Sequence, residues 1–279
     1  RSICLIFINP SLRTRLSTQQ AAFNLGLNCA VFDVGAGGWK LEFEDEVIMD
    51  SDKPEHIREA AAVLGAYFDI LAVRAFATLE DKLKDYSEPI LNGFMKYSGV
   101  PVINLESATR HPLQSLTDLV TIHENTPVKR PKVVLTWAPH PKALPQAVAN
   151  SFLEWAAAMD YELVLTHPEG YELETEFVGD TPVLYNQQEA FKDAHFIYAK
   201  NWSSVASYGQ VLRTDKEWTI DAAKMNLTND AYFMHCLPVR RNMVVTDEVI
   251  DSHKSLVIPQ ASNRIYAAQA VISNMLAGM

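Results

Sequence analysis

The chain has 279 residues, enough for one large or two modest domains, and a hydrophobic content of 48% that is normal for a globular protein. Its formal charge of −10 argues against nucleic acid or an anionic membrane surface as a partner, and no apolar run is long enough to span a membrane. The odd set Cys4, Cys29 and Cys236 has no paired spacing, which predicts a cytoplasmic protein without disulfides or a zinc site.

Residues 4–8 form a short apolar run that predicts a buried parallel strand, and Asn9-Pro10 ends it. Ser11 follows as a candidate N-cap for a helix that begins at Leu12. Helical spacing predicts that this helix turns four apolar positions inward: Leu16, Ala21, Ala22 and Leu25.

The first turn of that helix carries Ser11, Arg13, Thr14 and Arg15. A helix start already has partial positive charge and free backbone N–H groups, so two arginines there are unfavourable unless an anion binds them. The stretch therefore predicts a phosphate cradle of amides, hydroxyls and guanidiniums, without the Lys and glycines of a nucleotide P-loop. Taken alone, it is equally consistent with a solvated helix start held by salt bridges.

Strands and helices alternate through the rest of the first half. Strands are predicted at residues 28–34, 69–74 and 100–105, helices at 54–67 and 88–97, and a mobile loop at 35–38. This order predicts a parallel sheet, whose ligands lie beyond the C-terminal ends of the strands. We therefore expect Arg74, Glu106 and, a few residues on, His111 and Gln114 to lie near the Ser11 stretch.

The second half repeats the pattern after a bridging helix at residues 111–122 and a loop at 125–131. Strands are predicted at 132–137, 161–166, 196–200, 232–236 and 256–259, helices at 147–159, 188–194 and 263–276, and a flexible loop at 203–212. No G-x-G-x-x-G follows the strand ending at Ile8 or the one ending at Trp137, which counts against an NAD- or nucleotide-dependent enzyme.

Three motifs occur in a fixed order: S-x-R-T-R at residues 11–15, H-P-x-Q at 111–114 and H-C-L-P at 235–238. Together they closely resemble the signatures of the carbamoyltransferases, over essentially the whole chain. Trp39 and the run at residues 49–56 resemble the branch of that family that acts on N-acylated ornithine.

The resemblance implies an α/β fold of two doubly wound parallel-sheet domains with the active site in the cleft between them. Residues 1–120, completed by a C-terminal helix at 263–279, are predicted to bind carbamoyl phosphate, and residues 121–262 the acylornithine. It further implies a cytoplasmic homotrimer with shared active sites, acting in arginine biosynthesis without a metal or organic cofactor.

By the resemblance, one set of residues binds carbamoyl phosphate: Ser11, Leu12 through its backbone, Arg13, Thr14, Arg15, Trp39, Arg74, His111, Gln114, Cys236, Leu237 and Arg264. Within it, Thr14, Arg74 and His111 face the carbonyl oxygen, where negative charge grows during the reaction. Gln114 and the carbonyls of Cys236 and Leu237 take the carbamoyl NH2 group. Cys236 acts through its backbone, because carbamoyl phosphate is already activated and needs no covalent intermediate.

A second set, by the same resemblance, binds the acylornithine: Glu106, His140, Lys200, Arg240 and Pro54. Lys200 and Arg240 suit its α-carboxylate. In the acetylornithine enzymes a glutamate stands where this chain has Pro54, and a glutamate would repel the second carboxylate of a succinyl group. Lys53 or Arg110 is placed to attract that carboxylate. The predicted acceptor is therefore N-succinyl-L-ornithine, with N-acetyl-L-ornithine as the alternative.

Two functions from other classes stay open as remote alternatives. One is a nucleotide-dependent Rossmann-like enzyme, which the missing glycine motif disfavours. The other is a non-catalytic anion-binding module, which does not explain Lys200 and Arg240. The histidines that match no motif are expected at the surface: His123, His167, His195 and His253.

Overall fold

The computed structural model describes residues 1–36, 39–126 and 128–278. The chain divides into two compact units, one made of Arg1–Leu113 with Arg264–Met279 and the other of Gln114–Asn263. Each is built on parallel strands flanked by helices, which confirms the predicted α/β class. Within the described ranges, no helix has the length and apolar character needed to cross a membrane.

The first unit contains, in chain order, β1 (Ser2–Phe7), α1 (Leu12–Asn24), β2 (Asn28–Asp33), β3 (Leu41–Glu42), β4 (Glu55–His56), α2 (Ile57–Tyr67), β5 (Ile70–Arg74), α3 (Lys82–Tyr86), α4 (Pro89–Tyr97) and β6 (Val102–Glu106). Its four-stranded parallel sheet has the order β2-β1-β5-β6, and β3 pairs with β4 separately. The central strands β1 and β5 are buried, whereas the edge strand β2 is mostly half-buried.

Strand order places the loops after β1 and β5 next to each other. The chain runs from β1 outward to β2 and then returns to the other side of β1 as β5. This reversal is the topological switch point at which open α/β sheets bind ligands. Asn9, Pro10 and Ser11 follow β1, and Arg74 ends β5, so the sheet brings these residues to the expected edge.

Two predictions for the first unit are wrong. α2 begins at Ile57 and not at residue 54, because Glu55 and His56 pair with β3 and the His56 ring then caps the helix. Leu16 does not point inward: its side chain is 55% exposed, whereas Thr14 and Thr18 take the buried positions beside Ala21 and Ala22. Gly37 and Gly38 of the predicted 35–38 loop lie outside the described residues.

The second unit begins within α5 (Pro112–Asn125) and continues with β7 (Lys132–Trp137), α6 (Ala147–Ala156), β8 (Glu162–Thr166), α7 (Thr175–Val178), β9 (Val183–Leu184), α8 (Gln187–Phe191), β10 (Phe196–Lys200), α9 (Ala222–Met225), β11 (Tyr232–Met234), α10 (Asp247–Ile250) and the start of α11 (Val257–Ala277). Its parallel sheet has the order β11-β10-β7-β8-β9, so the switch point lies between β7 and β10.

Two further predictions are wrong in the second unit. The apolar stretch at 256–259 is not a strand but the start of α11, in whose first turn Pro259 needs no N–H donor. His167 is not a surface residue, because its ring is buried edge-on against Tyr185 and Trp202. Residues 203–212 contain no helix or strand, as predicted, and their flexibility stays a prediction.

Candidate active site

The first turn of α1 has the local structure that the sequence predicts. The Ser11 hydroxyl accepts the Thr14 backbone N–H at 3.3 Å, which confirms Ser11 as the N-cap. No acidic residue lies in this turn, so the positive end of the helix and the half-buried Arg13 and Arg15 are not offset from within it. The Leu12 side chain is exposed and has no hydrogen-bonding group, so only its backbone N–H can donate to an anion.

The two arginines of this turn differ in their surroundings. Arg15 forms an ion pair with Asp33 at the end of β2, and its guanidinium lies 4.8 Å from the centroid of the Phe7 ring. The salt-bridge interpretation of the S-x-R-T-R stretch thus applies to Arg15. Arg13 lies in the same turn, and a third guanidinium approaches it: Arg264 Nη2 donates to the Thr14 hydroxyl at 2.7 Å.

Arg74 is fixed at the same edge of the sheet by bonds on both sides of its guanidinium. Nη1 donates to the carbonyls of Asn9 and Pro10 at 2.8 and 3.0 Å, in the loop that leads into α1. Nε and Nη2 donate to Glu106 Oε2 at 3.0 and 2.8 Å. The guanidinium also lies over the Phe76 ring, 4.6 Å from its centroid. Arg74 is therefore buried and held in one orientation.

Glu106 joins Arg74 to the H-P-x-Q motif. His111 Nε2 lies 3.7 Å from the Glu106 oxygen that Arg74 binds, and the His111 ring is buried. Within the first unit the structure thus brings together Ser11, Thr14, Arg74, Glu106, His111 and Arg264. Glu106, predicted for the acceptor, lies among the residues predicted for carbamoyl phosphate.

Trp39 and Pro54 lie on a separate, largely exposed segment. The Trp39 indole N–H donates to Glu55 at 2.9 Å, and the side chain is 49% exposed. Lys53, beside Pro54, donates to Glu42 at 2.9 Å, and this bond, with the Glu44 and Phe43 backbone N–H groups, lowers the pKa of Glu42 to about 2. In the described part of the chain, no hydrogen bond or ion pair joins Trp39 or Pro54 to the α1 turn.

In the second unit, Gln114 lies in a buried polar network. Its Nε2 donates to Asp118 Oδ1 at 2.7 Å, and Gln260 Nε2 donates to the same oxygen at 2.7 Å. Gln260 Oε1 in turn accepts the His235 backbone N–H at 3.0 Å. One carboxylate therefore links the H-P-x-Q motif to the H-C-L-P turn.

The H-C-L-P turn is shaped by its own residues. The His235 ring accepts the Leu237 N–H at 2.9 Å, and Leu237 has a φ of +56°, a left-handed conformation that branched residues rarely adopt. The Leu237-Pro238 peptide is cis, and Cys236 is buried. The sequence thus specifies an irregular backbone at the point where its carbonyls are predicted to serve the substrate.

At the second switch point, His140 lies shortly after β7 and Lys200 is the last residue of β10. The side-chain amide of Asn201, which follows β10, donates to the Ala138 carbonyl after β7 at 2.7 Å. Burial lowers the pKa of His140, and the positive charges of Lys200, Arg240 and Lys142 lower it further. Lys200 and Arg240 therefore place positive charge close to His140. Glu106 and Pro54, the other residues predicted for the acceptor, belong to the first unit.

Family models match nearly the whole chain. The carbamoyl-P binding domain of aspartate/ornithine carbamoyltransferase matches residues 1–124, and the Asp/Orn binding domain matches residues 145–275. The chain belongs to the aspartate/ornithine carbamoyltransferase family. This confirms the family predicted from the three motifs.

The chain is similar over nearly its whole length to carbamoyltransferases that are named for acylated ornithines. The chain is 58% identical to an N-succinylornithine carbamoyltransferase of Bacteroides thetaiotaomicron, with 100% of this chain and 88% of that protein covered. It is 38% identical to an N-acetylornithine carbamoyltransferase of Xylella fastidiosa, with coverages of 98% and 87%. A solved structure, a mutant N-acetyl-L-ornithine transcarbamylase complexed with carbamyl phosphate and N-succinyl-L-norvaline, matches with a TM-score of 0.92 at 38% identity, covering 99% of this chain and 89% of that one.

Motif matching to carbamoyltransferases does not identify Asp118 or Gln260 as members of the site. A signal existed for Asp118, which follows Gln114 by four residues and therefore lies on the same helix face. Gln260 has no such signal, because its partners are distant in the sequence. Among the described residues, no group of three or more His, Cys, Asp and Glu side chains is arranged to hold a metal ion.

Proposed function

We propose that this protein transfers the carbamoyl group of carbamoyl phosphate to the δ-amine of N-succinyl-L-ornithine, giving N-succinyl-L-citrulline and phosphate. The observation that carries the proposal is the gap between 58% identity to proteins named for N-succinylornithine and 38% to those named for N-acetylornithine. N-acetyl-L-ornithine is the alternative acceptor. The resemblance implies that the reaction serves arginine biosynthesis in the cytoplasm.

The phosphate of carbamoyl phosphate is proposed to bind the first turn of α1. Ser11, Thr14 and the backbone N–H groups supply neutral donors, while Arg13 and Arg15 supply charge. Guanidinium groups suit this task because they bind phosphate oxygens with two parallel hydrogen bonds. The phosphate dianion also offsets the positive charge of this helix end and of its two arginines.

Thr14, Arg74 and His111 are proposed to face the carbonyl oxygen. As the amine attacks, that oxygen gains negative charge, and a donor already in position there contributes about 2.7–4 kcal/mol. Arg74 suits this role because bonds to Asn9, Pro10 and Glu106 fix its guanidinium before substrate arrives. It needs no reorganisation during the reaction.

The carbamoyl NH2 group is proposed to donate to the Gln114 side chain and to the carbonyls of Cys236 and Leu237. Three acceptors in place around the NH2 group would leave the carbonyl oxygen directed at the donors. Cys236 needs no reactive thiolate for this role. Its place in a buried turn fits a backbone function.

Lys200 and Arg240 are proposed to bind the α-carboxylate of the acceptor, with His140 beside them. Acylation removes the positive charge of the α-amine, which these cations would otherwise repel. The uncharged δ-amine then attacks the carbonyl carbon. A carbon–nitrogen bond forms, the carbon–oxygen bond to phosphate breaks with its electron pair, and the departing phosphate takes the proton from the amine.

The acyl preference is proposed to arise at Pro54. A proline carries no charge to repel the outer carboxylate of a succinyl group, whereas a glutamate would. Lys53 already forms an ion pair with Glu42, which partly offsets the positive charge that Lys53 could offer to this carboxylate. Arg110 is the second cation proposed to attract that carboxylate.

We further propose that the chain works as a homotrimer in which Trp39 serves the site of a neighbouring subunit. Exposed apolar side chains on α1, among them Leu12, Leu16 and Phe23, support association, because such a surface is costly in a monomer. Mixing subunits that carry Arg74→Ala with subunits that carry Trp39→Ala tests the sharing. Random assembly restores both residues in about a quarter of the sites of such a mixture, so activity should return. No recovery would argue against shared sites.

A substrate panel tests the reaction. Carbamoyl phosphate is supplied with ornithine, N-acetyl-L-ornithine or N-succinyl-L-ornithine, and the citrulline-type product and phosphate are measured. The proposal expects kcat/KM to be highest for the succinyl compound. Faster turnover of the acetyl compound would assign the alternative acceptor, and no product from any of them would refute carbamoyl transfer.

A further inference from the structure

Asp118 is a completely buried carboxylate in the second turn of α5, and the proposed reaction assigns it no part. A single one of its oxygens, Oδ1, accepts hydrogen bonds of 2.7 Å from both Gln114 and Gln260. Burying a carboxylate is costly unless hydrogen bonds satisfy it, so a buried acid between two glutamine amides needs an explanation.

The chemistry of the carboxylate fixes the orientation of both amides. An ionised carboxylate only accepts hydrogen bonds, so each glutamine must turn its NH2 group toward Asp118. The amide oxygen then lies on the opposite side. Gln260 shows the result directly, because its Oε1 accepts the His235 N–H at 3.0 Å. Gln114 likewise turns its NH2 group toward Asp118, so its amide oxygen lies on the side away from Asp118.

We propose that Asp118 is a positioning residue that holds the Gln114 amide with its oxygen, and not its NH2 group, toward the carbamoyl NH2 of the substrate. This inference rests on the proposed function, in which Gln114 meets that NH2 group. Removing Asp118 takes away the acceptor that sets this orientation of the Gln114 amide. An amide turned by half a turn would place its NH2 group against the NH2 group of the substrate, donor against donor.

The same carboxylate acts on the other acceptors of the carbamoyl NH2 group. Through Gln260 it holds the His235 backbone, which directly precedes the carbonyls of Cys236 and Leu237.

Tyr198 lies beside Asp118. Burial, and after it the charge of Asp118, raises the pKa of the Tyr198 phenol well above its ordinary value. The tyrosine therefore stays protonated and adds no second negative charge near Asp118.

The inference predicts a specific form of discrimination. Carbamoyl phosphate and acetyl phosphate have nearly the same shape, but the second carries a methyl group in place of the NH2 group. A Gln114 amide oxygen that faces the ligand accepts a hydrogen bond from the NH2 group of carbamoyl phosphate and so favours it over acetyl phosphate. A Gln114 amide turned by half a turn presents its own NH2 group and gives no such preference. Loss of Asp118 should therefore reduce the preference for carbamoyl phosphate by about tenfold, the effect of leaving one buried polar pair unmatched.

The test measures the dissociation constants of carbamoyl phosphate and acetyl phosphate by calorimetry, without acceptor, and compares their ratio between variants. Asp118→Leu removes both acceptor oxygens and should reduce the ratio about tenfold. Asp118→Asn keeps an oxygen in the position of Oδ1, which alone serves both glutamines, and should restore most of the ratio. In a Gln114→Leu background, Asp118→Leu should change the ratio no further.

Lys224→Met provides the matched control. Lys224 is a buried charged side chain of the same unit, and it also binds a glutamine, Gln187, at 2.7 Å. Its loss should lower the free energy of unfolding and leave the ratio unchanged. A purely structural role for Asp118 predicts the same pattern for Asp118→Leu.

An unchanged ratio in Asp118→Leu would overturn the inference while carbamoyl phosphate binding in the parent protein supports the proposed function. If Asp118→Leu does not fold, the ratio in Asp118→Ala, which adds no bulk, decides the question in the same way. If the parent protein binds no carbamoyl phosphate and forms no product, the proposed function fails and this inference with it.

Discussion

Arg264 Nη2 donates to the Thr14 hydroxyl over 2.7 Å, although 250 residues separate them in the sequence. Both side chains are buried, and Thr14 lies in the turn predicted to hold phosphate. The last helix of the chain therefore completes the first turn of the first helix. A protein that lost this helix would keep the S-x-R-T-R motif but not its surroundings.

We expect Arg264→Ala to weaken carbamoyl phosphate binding by about ten- to a hundredfold, because a hydrogen bond to a charged group contributes about 1.5–3 kcal/mol. Calorimetric titration measures the dissociation constant directly. Arg130→Ala is the control, since Arg130 is exposed and its contact with Asp160 is 3.5 Å long. Equal affinities for Arg264→Ala and the parent would remove Arg264 from the site.

Arg74→Lys should lower kcat by about a hundredfold or more, the cost of losing one well-placed donor to a developing negative charge. A lysine keeps the positive charge but cannot bind the Asn9 and Pro10 carbonyls and Glu106 together. Steady-state kinetics at saturating substrates measures kcat, and circular dichroism checks the fold. Near-normal kcat in a folded Arg74→Lys protein would mean that charge alone suffices.

Glu42 should make stability depend on pH in the acid range. Its pKa falls from 4.5 to about 2 in the folded protein, chiefly through the Lys53 hydrogen bond. A lowered pKa stabilises the fold above the unfolded value, and this contribution is lost as the pH falls from 4.5 toward 2. We expect the free energy of unfolding, measured by urea unfolding at several pH values, to decrease less steeply with falling pH in Glu42→Gln than in the parent protein. The same pH dependence of the free energy of unfolding in both proteins would contradict this account.

Unbroken apolar runs allowed some strands to be predicted from the sequence to the residue. Lys132–Trp137 and Phe196–Lys200 match their predicted bounds, because central strands buried on both faces are apolar along most of their length. The stretch at 256–259 has the same composition but belongs to a helix. There, Leu256 and Val257 are buried and Ile258 is exposed, a one-sided pattern that four residues are too few to reveal.

For the site, the sequence predicts residues that carry a motif but not the residues that orient them. Arg74 ends one predicted parallel strand and Glu106 follows another, which predicts both at one sheet edge, and the structure joins them at 2.8 Å. The bond between Gln260 and Asp118 spans 142 residues, and no local pattern encodes such a contact. Trp39 stays a prediction, because its proposed role involves a second subunit, and Pro54 stays one, because its proposed role involves the bound acceptor.

Pro54→Glu should shift the acceptor preference from the succinyl toward the acetyl compound. The new carboxylate would repel the outer carboxylate of a succinyl group and leave an acetyl group unaffected. We expect kcat/KM for N-succinyl-L-ornithine to fall by about tenfold or more relative to N-acetyl-L-ornithine, since unfavourable charge contacts of this kind cost over 1.4 kcal/mol. Pro54→Gln, which has nearly the same shape without the charge, is the control. The same preference in all three proteins would argue against Pro54 as the determinant.

His140 should report binding of the acceptor carboxylate through its own titration. In the free protein, burial and then the charges of Lys200 and Arg240 hold the pKa of His140 below 6.5. A carboxylate bound between these cations offsets their charge and should raise the pKa of His140. By linkage, a ligand that raises this pKa binds more tightly as the pH falls through it.

NMR titration of the His140 imidazole measures the change in pKa. The titration is made with and without N-succinyl-L-norvaline, an analogue that lacks the δ-amine. Lys200→Met should raise the pKa of His140 in the free protein and reduce the further rise on binding. A pKa of His140 that the analogue leaves unchanged would place the acceptor carboxylate away from Lys200 and Arg240.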